Sequence, residues 1–359
     1  MVAKRLRQLM GVLALVIAVW AAWSILAAPI APVVWNAPPN PGLTGAFAVN
    51  KRLAMVDTIP MPELGPEDVA CDADGWLYSG LEDGRVVRFD RDGELGLFAE
   101  TNGRPLGMVF DHEGALIVAD AYQGLLKIHE SGRVETLVDQ YRGQRLQFVD
   151  DLDIAANGTI YFSDASMRFE YHNNLLDFYE GSMTGRLFAY SPQTQSVQLL
   201  LDGLFFANGV ALGPDDAYVL VNETGLGRVQ RFWLKGPNTG TSDIFVEHLP
   251  GTPDNINFDG KNTFWIAMPS LRAGVDAVAD LPWLRQWVSV LPTMLQEAAA
   301  TPVSFVLGVG LDGSVVANLQ DPALGYNYIT SATPCREDLW LGSLHMMSAG
   351  HLPLPKTAH

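Results

Sequence analysis

The chain has 359 residues, 48% hydrophobic and only 18% charged, enough apolar material for one large domain or two ordinary ones. Its 40 acidic and 23 basic side chains give a formal charge of −17, a surface that repels phosphate backbones and attracts cations, so nucleic acid is not an expected partner. Two cysteines, Cys71 and Cys335, are too few for a zinc site or a disulfide framework.

From the N-terminus, residues 1–8 contain Lys4, Arg5 and Arg7 and no acid, and Leu9 to Ala28 follows without a charge. As a helix, that run reaches roughly 30 Å, the thickness of a bilayer core. Trp20 and Trp23 suit the outer interface and the basic cluster suits the cytoplasmic side. The segment 9–28 therefore reads as an uncleaved signal anchor that makes the membrane a partner and leaves the rest outside the cytoplasm. A cleaved signal peptide is the alternative, although its apolar region usually spans about 7–15 residues. Five prolines between Pro29 and Pro41 predict a stiff, extended linker over 29–43. The folded domain is expected over 44–359.

A turn followed by an alternating, β-branched and aromatic strand then recurs six times: ACDADGWLYSG, VFDHEGALIVAD, IAANGTIYFSD, ALGPDDAYVLVNE, NFDGKNTFWIAM and ATPCREDLWLGS. The turns align at Gly75, Gly114, Gly158, Asp216, Asn262 and about Glu337, with spacings of 39, 44, 58, 46 and 75. Further short strands follow each, as in GRVVRFD and GRLFAYS. Four-stranded antiparallel units repeated every 40–50 residues predict an all-β fold, a six-bladed β-propeller behind an N-terminal transmembrane helix. The stretch Arg52–Pro60 has no blade of its own and is expected to complete the last one. The two long spacings mark insertions. One, about 166–184, carries Arg168, Phe169, Tyr171 and His172 and reads as a lid over one channel mouth that sets substrate choice. The other, about 271–302, has apolar residues at helical spacing around a central proline.

Eight residues before each turn lies the start of the innermost strand, where pseudo-symmetry aims side chains at the axis. These positions hold Glu67, Leu106, Asp150, Asn208, Asp254 and Ile329 or Thr330. Three acids converging there would resist ionising. A hard, oxygen-seeking cation resolves the conflict, and Ca²⁺, with 6–8 oxygen ligands, suits a wide ring better than Mg²⁺; no His or Cys is present to favour Zn²⁺.

The motifs GPEDVA, ADAYQGL, FVDDLDIA, YFSDAS, EGSMTGRL, FANGVAL, VLVNET, GTPDNI and DLWLGSL resemble the strictosidine synthase-like / adipocyte plasma membrane-associated protein family of Ca²⁺-dependent six-bladed propellers, distantly related to paraoxonases and gluconolactonases. The resemblance implies a metal set of Glu67, Asp150, Asn208 and Asp254, with Asn255 as a further ligand on the paraoxonase pattern. Asp150 stands where the family usually has Asn. The alkaloid-forming members need a Glu on the inner strand of the last blade, and Tyr328–Thr333 holds no acid, which argues against condensation of an amine with an aldehyde. The expected activity is hydrolysis of a small ester or lactone. A phosphotriesterase-type hydrolase and a non-enzymatic propeller with structural Ca²⁺ are the alternatives. Candidates for the group that activates water are Asp254, Asp120 at the end of a blade-two strand, and His172 in the lid; a base needs a raised pKa and a calcium ligand has it lowered, which favours Asp120 or His172 over Asp254. Cys71 and Cys335 lie on the inner strands of blades one and six, neighbours once the ring closes. A bond there would lock the closure, unless the strands hold the Cα atoms beyond about 7 Å.

Overall fold

The computed structural model describes residues 2–297 and 300–356. Six antiparallel sheets of four strands each stand around one axis, every blade running from an inner strand at the channel to an outer strand at the rim. Blade two shows the pattern: Pro105–Phe110 is innermost, followed by Leu116–Asp120, Gly124–Ile128 and Val134–Val138. Each blade is apolar on both faces and buries them against its neighbours. One such layer is Leu220, Val229, Phe264, Ile266 and Leu307 between blades four and five.

The ring closes as expected. Asp57–Pro60 adds to the edge of blade six, pairing Asp57 with His351 and Pro60 with Ser348, so the last blade takes one strand from the start of the domain. The closure is also covalent: Cys71 and Cys335 form a disulfide, with Cα atoms 6.1 Å apart. The inner strands of blades one and six thus approach closely enough for a bond.

The N-terminal helix α1 (Val2–Ala27) includes a stretch, Arg5–Ser24, long and apolar enough to cross a membrane, and fits a single-pass membrane anchor. The linker after it is extended, but it is no free spacer. Its backbone pairs with the lid through Val33 N–H to Glu180 O (2.8 Å), and its Trp35 is buried edge-on against Phe205 under the Arg285 guanidinium. The lid helix α2 (Asn174–Glu180) ends at Gly181 with φ +66°, where a Cβ would stand 2.6 Å from the Trp35 ring, so both backbone and packing demand glycine. The blade-five insertion forms α3 (Ala273–Asp276), α4 (Pro282–Ser289) and α5 (Thr293–Glu297), with Pro292 in the break between the last two. Ala298 and Ala299, the end of its helical pattern, lie outside the described residues, as do Met1 and residues 357–359.

Candidate metal centre and channel mouth

In blades two, three, four and six, the register between the inner and second strands slips at the ring position itself: between Pro105 and Met108, Val149 and Leu152, Ala207 and Val210, and Ile329 and Ser331. A bulge breaks strict alternation, so two successive residues can serve the channel instead of one. In blade three Asp150 takes the ring position, while Asp151 reaches sideways to accept the Val210 N–H of blade four (2.7 Å). In blade one Asp68 does the same toward Met108 N–H of blade two (3.1 Å). Gly209 follows Asn208 because a Cβ there would lie 2.5 Å from the Asp254 carbonyl oxygen of the next blade.

Glu67, Asp150, Asn208, Asp254 and Asn255 are all buried. Asn255 Nδ2 donates to Glu67 Oε1 (3.0 Å), which leaves Glu67 Oε2, Asn208 Oδ1 and Asn255 Oδ1 buried without a hydrogen-bond partner. Burial lifts the Glu67 carboxyl well above the usual range, and the charges of Asp254 and Asp150 push it further. Asp150 rises for the same two reasons, burial and then Asp254. Burial carries Asp254 up to about 7, against a lowering hydrogen bond from Asn208. The remaining ring positions do not donate oxygen side chains to this set: Leu106 is apolar, and the Thr330 hydroxyl donates to the Glu67 carbonyl (2.6 Å).

Orphaned buried oxygens beside mutually repelling carboxylates are the state a hard cation would relieve, and the donor set, all oxygen and part carboxamide, suits Ca²⁺. Among the described residues no three His, Cys, Asp or Glu side chains make a ready-made metal cluster by themselves. Glu67, Asp150 and Asp254 are three acids but do not form such a cluster, so the donor set depends on the carboxamides of Asn208 and Asn255 as well.

Arg104 was not singled out by the sequence. Its fully buried guanidinium lies 3.0 Å from Glu82, donates to the carbonyls of Gly65 (3.1 Å) and Pro105 (3.2 Å), and faces the Tyr171 ring at 5.2 Å. Its charge lowers both Glu67 and Asp150, partly offsetting their repulsion. The signal available was its position two residues before Leu106, in a blade that contributes no oxygen ligand.

An aromatic cluster packs at the channel end beside the ring. Phe148 and Phe206, each two residues ahead of a ring position, pack edge to face at 5.3 Å, and from the lid Tyr171 meets Phe148 at 5.7 Å and Phe178 meets Phe206 at 4.6 Å. Leu106 and Trp35 join the same cluster. The insertion 166–184 packs against this end of the inner strands through Tyr171 and Phe178. Phe169 is instead buried with Ile30 and Tyr179 inside the lid, and Arg168 is spent on Glu180 (3.1 Å). A cavity of about 440 Å³ lies at the opposite end of the inner strands, among Cys71, Phe110, Ile154, Leu212 and Phe258.

The three candidates for activating water separate clearly. Asp254 stands on the ring. Asp120 Oδ1 accepts the backbone N–H groups of Arg104 (3.0 Å), Tyr122 (2.9 Å) and Gln123 (2.9 Å). Asp164 Oδ1 accepts Phe148 N–H (2.9 Å) and Glu223 Oε1 accepts Phe205 N–H (3.0 Å) in the next two blades. Asp120 is thus one of three acids at the end of second strands that fix the chain entering their own inner strand. His172 is 59% exposed and meets Tyr122 Oη (3.4 Å) and Asn173, on the outside of the lid.

The sequence profile described as strictosidine synthase matches residues 150–237, and that described as strictosidine synthase-like, N-terminal, matches residues 45–89. Strictosidine synthase-like protein 6 of Arabidopsis thaliana is 37% identical over 290 residues, covering 78% of this chain and 76% of that protein. The chain belongs to the strictosidine synthase-like family. Another relative, the human adipocyte plasma membrane-associated protein, is 32% identical over 365 residues, 94% of this chain and 87% of its own. Among solved structures, a gluconolactonase from Xanthomonas campestris superposes with a TM-score of 0.62 at 18% identity, covering 92% of this strictosidine synthase-like chain and 99% of its own. A calcium-binding regucalcin from Agrobacterium tumefaciens gives 0.58 at 13% identity, with 82% and 90% covered. These two similarities establish the propeller fold.

The lid of this strictosidine synthase-like protein carries a pH-dependent element. Asp177 is buried and accepts the hydroxyls of Ser166 (2.7 Å) and Ser182 (3.2 Å), and burial raises its carboxyl to about 6 from an ordinary 3.8. The folded lid then holds a proton that the unfolded chain releases. Its contribution is full below pH 4, is lost as pH rises through 6, and is flat above. Asp177→Asn keeps both acceptor bonds and removes the ionisation. Relative to the parent, the variant is expected to stabilise the lid near neutral pH and not at pH 4, read as slower hydrogen exchange of the α2 amides. Equal exchange rates at both pH values would refute the assignment.

Proposed function

We propose that the protein is a Ca²⁺-dependent hydrolase of small esters or lactones, with the ion held by Glu67, Asp150, Asn208, Asp254 and Asn255. The observation that carries this reading is the meeting of unpartnered, buried oxygens with an apolar aromatic mouth: a site for charge at the floor and for a hydrocarbon or aryl group above it. Bound there, Ca²⁺ supplies a Lewis acid that polarises a carbonyl oxygen. Asp254, the one candidate on the ring, accepts a proton from water as the water oxygen bonds to the carbonyl carbon. The ester C–O bond then breaks and the departing oxygen takes that proton. Burial raises the basicity of Asp254 and a bound cation lowers it, so the two oppose each other in tuning this carboxylate. Phe148, Phe206, Phe178 and Tyr171 exclude bulk water and hold the acyl or aryl part. The names gluconolactonase and calcium-binding regucalcin among proteins of the same fold support the reading by analogy.

The packed aromatic cluster favours a second reading, a propeller in which Ca²⁺ is structural and the rim recruits a partner. The experiment that separates them is turnover of phenyl acetate, several lactones and a phosphotriester by the full chain, with Ca²⁺ and with EDTA. EDTA-sensitive hydrolysis of an ester or lactone supports the hydrolase, and Phe178→Ala is then expected to change the ranking of substrates. Hydrolysis of the phosphotriester alone shifts the assignment to that class. No turnover, together with melting that still responds to calcium, selects the structural ion.

A further inference from the structure

The membrane helix does not leave the propeller at an arbitrary place. Trp20, inside the apolar span Arg5–Ser24, stacks edge-on against Trp287 of α4 with ring centroids 4.5 Å apart. Ala28 and Ile30, just beyond the helix, pack with Phe169, Leu175, Leu176 and Tyr179 of the lid and with Val288 of α4. Four residues separate Trp20 from the outer end of the span, roughly 6 Å along the axis. Trp287 must sit at about the same depth.

The surface continuing from Trp287 is apolar and unpartnered. Trp283, one helical turn earlier on the same face, is 58% exposed, and Met294 and Leu295 on α5 are 77% and 53% exposed. Across α4 and α5, apart from Glu297 at the exposed end of α5, the only charged residue is Arg285. Its guanidinium is buried and turned inward, donating to the carbonyls of Tyr179 (2.9 Å), Glu180 (3.2 Å), Val33 (2.8 Å) and Ala279 (3.1 Å). A short amphipathic segment with tryptophans at one face and its one cation withdrawn is suited to a headgroup–acyl boundary.

We propose that α4 and α5 of the blade-five insertion lie on the outer leaflet of the bilayer that α1 spans, so that the lid end of the channel faces the lipid surface. The occupant of the apolar face is lipid because that face is continuous with the lipid-facing side of α1, where Leu13, Val16 and Ile17 are exposed. The proposal does not depend on the hydrolase reading.

The test uses the full-length chain in phosphatidylcholine vesicles. Both native cysteines are in the disulfide, so a nitroxide on Met294→Cys reports that site alone, and Asp92→Cys, an exposed position in a turn of blade one, serves as the reference. Vesicle flotation first establishes insertion. Power saturation is then compared with oxygen, which concentrates in lipid, and with a water-soluble nickel chelate. Residue 294 is expected to be relaxed several-fold more by oxygen than by the chelate, with the opposite order at residue 92. Access of the chelate to residue 294 equal to that at 92 overturns the proposal. So does shielding of residue 294 from both relaxants, which would mean that a second copy or another protein covers the face. Failure of the chain to float with the vesicles removes the anchor and the proposal together.

Discussion

Calcium is expected to raise the melting temperature of the protein in a concentration-dependent way, and EDTA to lower it and abolish any hydrolysis. The reason is linkage. An ion that binds only the folded ring stabilises it by RT ln(1 + [L]/Kd), about 2.7 kcal/mol at a hundredfold excess over Kd. Glu67, Asp150, Asn208 and Asp254 come from four blades, so the ion ties together parts of the chain far apart in sequence. The variants should then split in a way that mere damage would not reproduce. Asn208→Ala removes a neutral oxygen and is expected to shrink the calcium response with little change in EDTA. Asp254→Asn removes a charge that raises both Glu67 and Asp150, so the metal-free protein should melt no lower than its parent while its response to calcium falls sharply. Purified protein without a divalent ion, with melting indifferent to both calcium and EDTA, would sink the site and take the main support of the hydrolase reading with it.

Loss of the Cys71–Cys335 bond is expected to have the other large effect. The bridge spans a sequence separation of 264, and the chain-entropy model assigns about 5 kcal/mol to closing a loop of that length. For a domain of this size that corresponds to roughly 10 °C in melting temperature. The double variant Cys71→Ser/Cys335→Ser is expected to melt lower by that order and to lose the parent's sensitivity to reducing agent. The ring should still form, because Asp57–Pro60 remains paired with blade six and Ser343 N–H still reaches Pro66 O (2.7 Å) across the same joint. Thiol titration of denatured, unreduced protein should find no free thiol; two titratable thiols would rule the bond out.

The sequence alone determined the blade count, the closing strand and the insertions. Each blade repeats one physical problem, a sheet apolar on both faces bounded by tight turns, and so leaves a periodic trace. Counting back from those turns led to Glu67, Asp150, Asn208 and Asp254 because the run from channel mouth to turn keeps the same eight-residue length in these blades. What is not periodic had to wait for the tertiary structure. The bulges at Val149–Leu152 and Ala207–Val210 leave no composition signal, yet they decide that Asp151 braces the next blade while Asp150 faces the axis. Asp120 reads from sequence as a base near the channel, and only its three backbone partners show what its Oδ1 is occupied with. Arg104, the Tyr171–Phe178 cluster, the buried Trp35 and the 6.1 Å approach of Cys71 to Cys335 join segments from separate blades, the linker and the insertions. Such contacts depend on the curvature of the closed ring, and no local propensity encodes a distance between residues that meet only after closure.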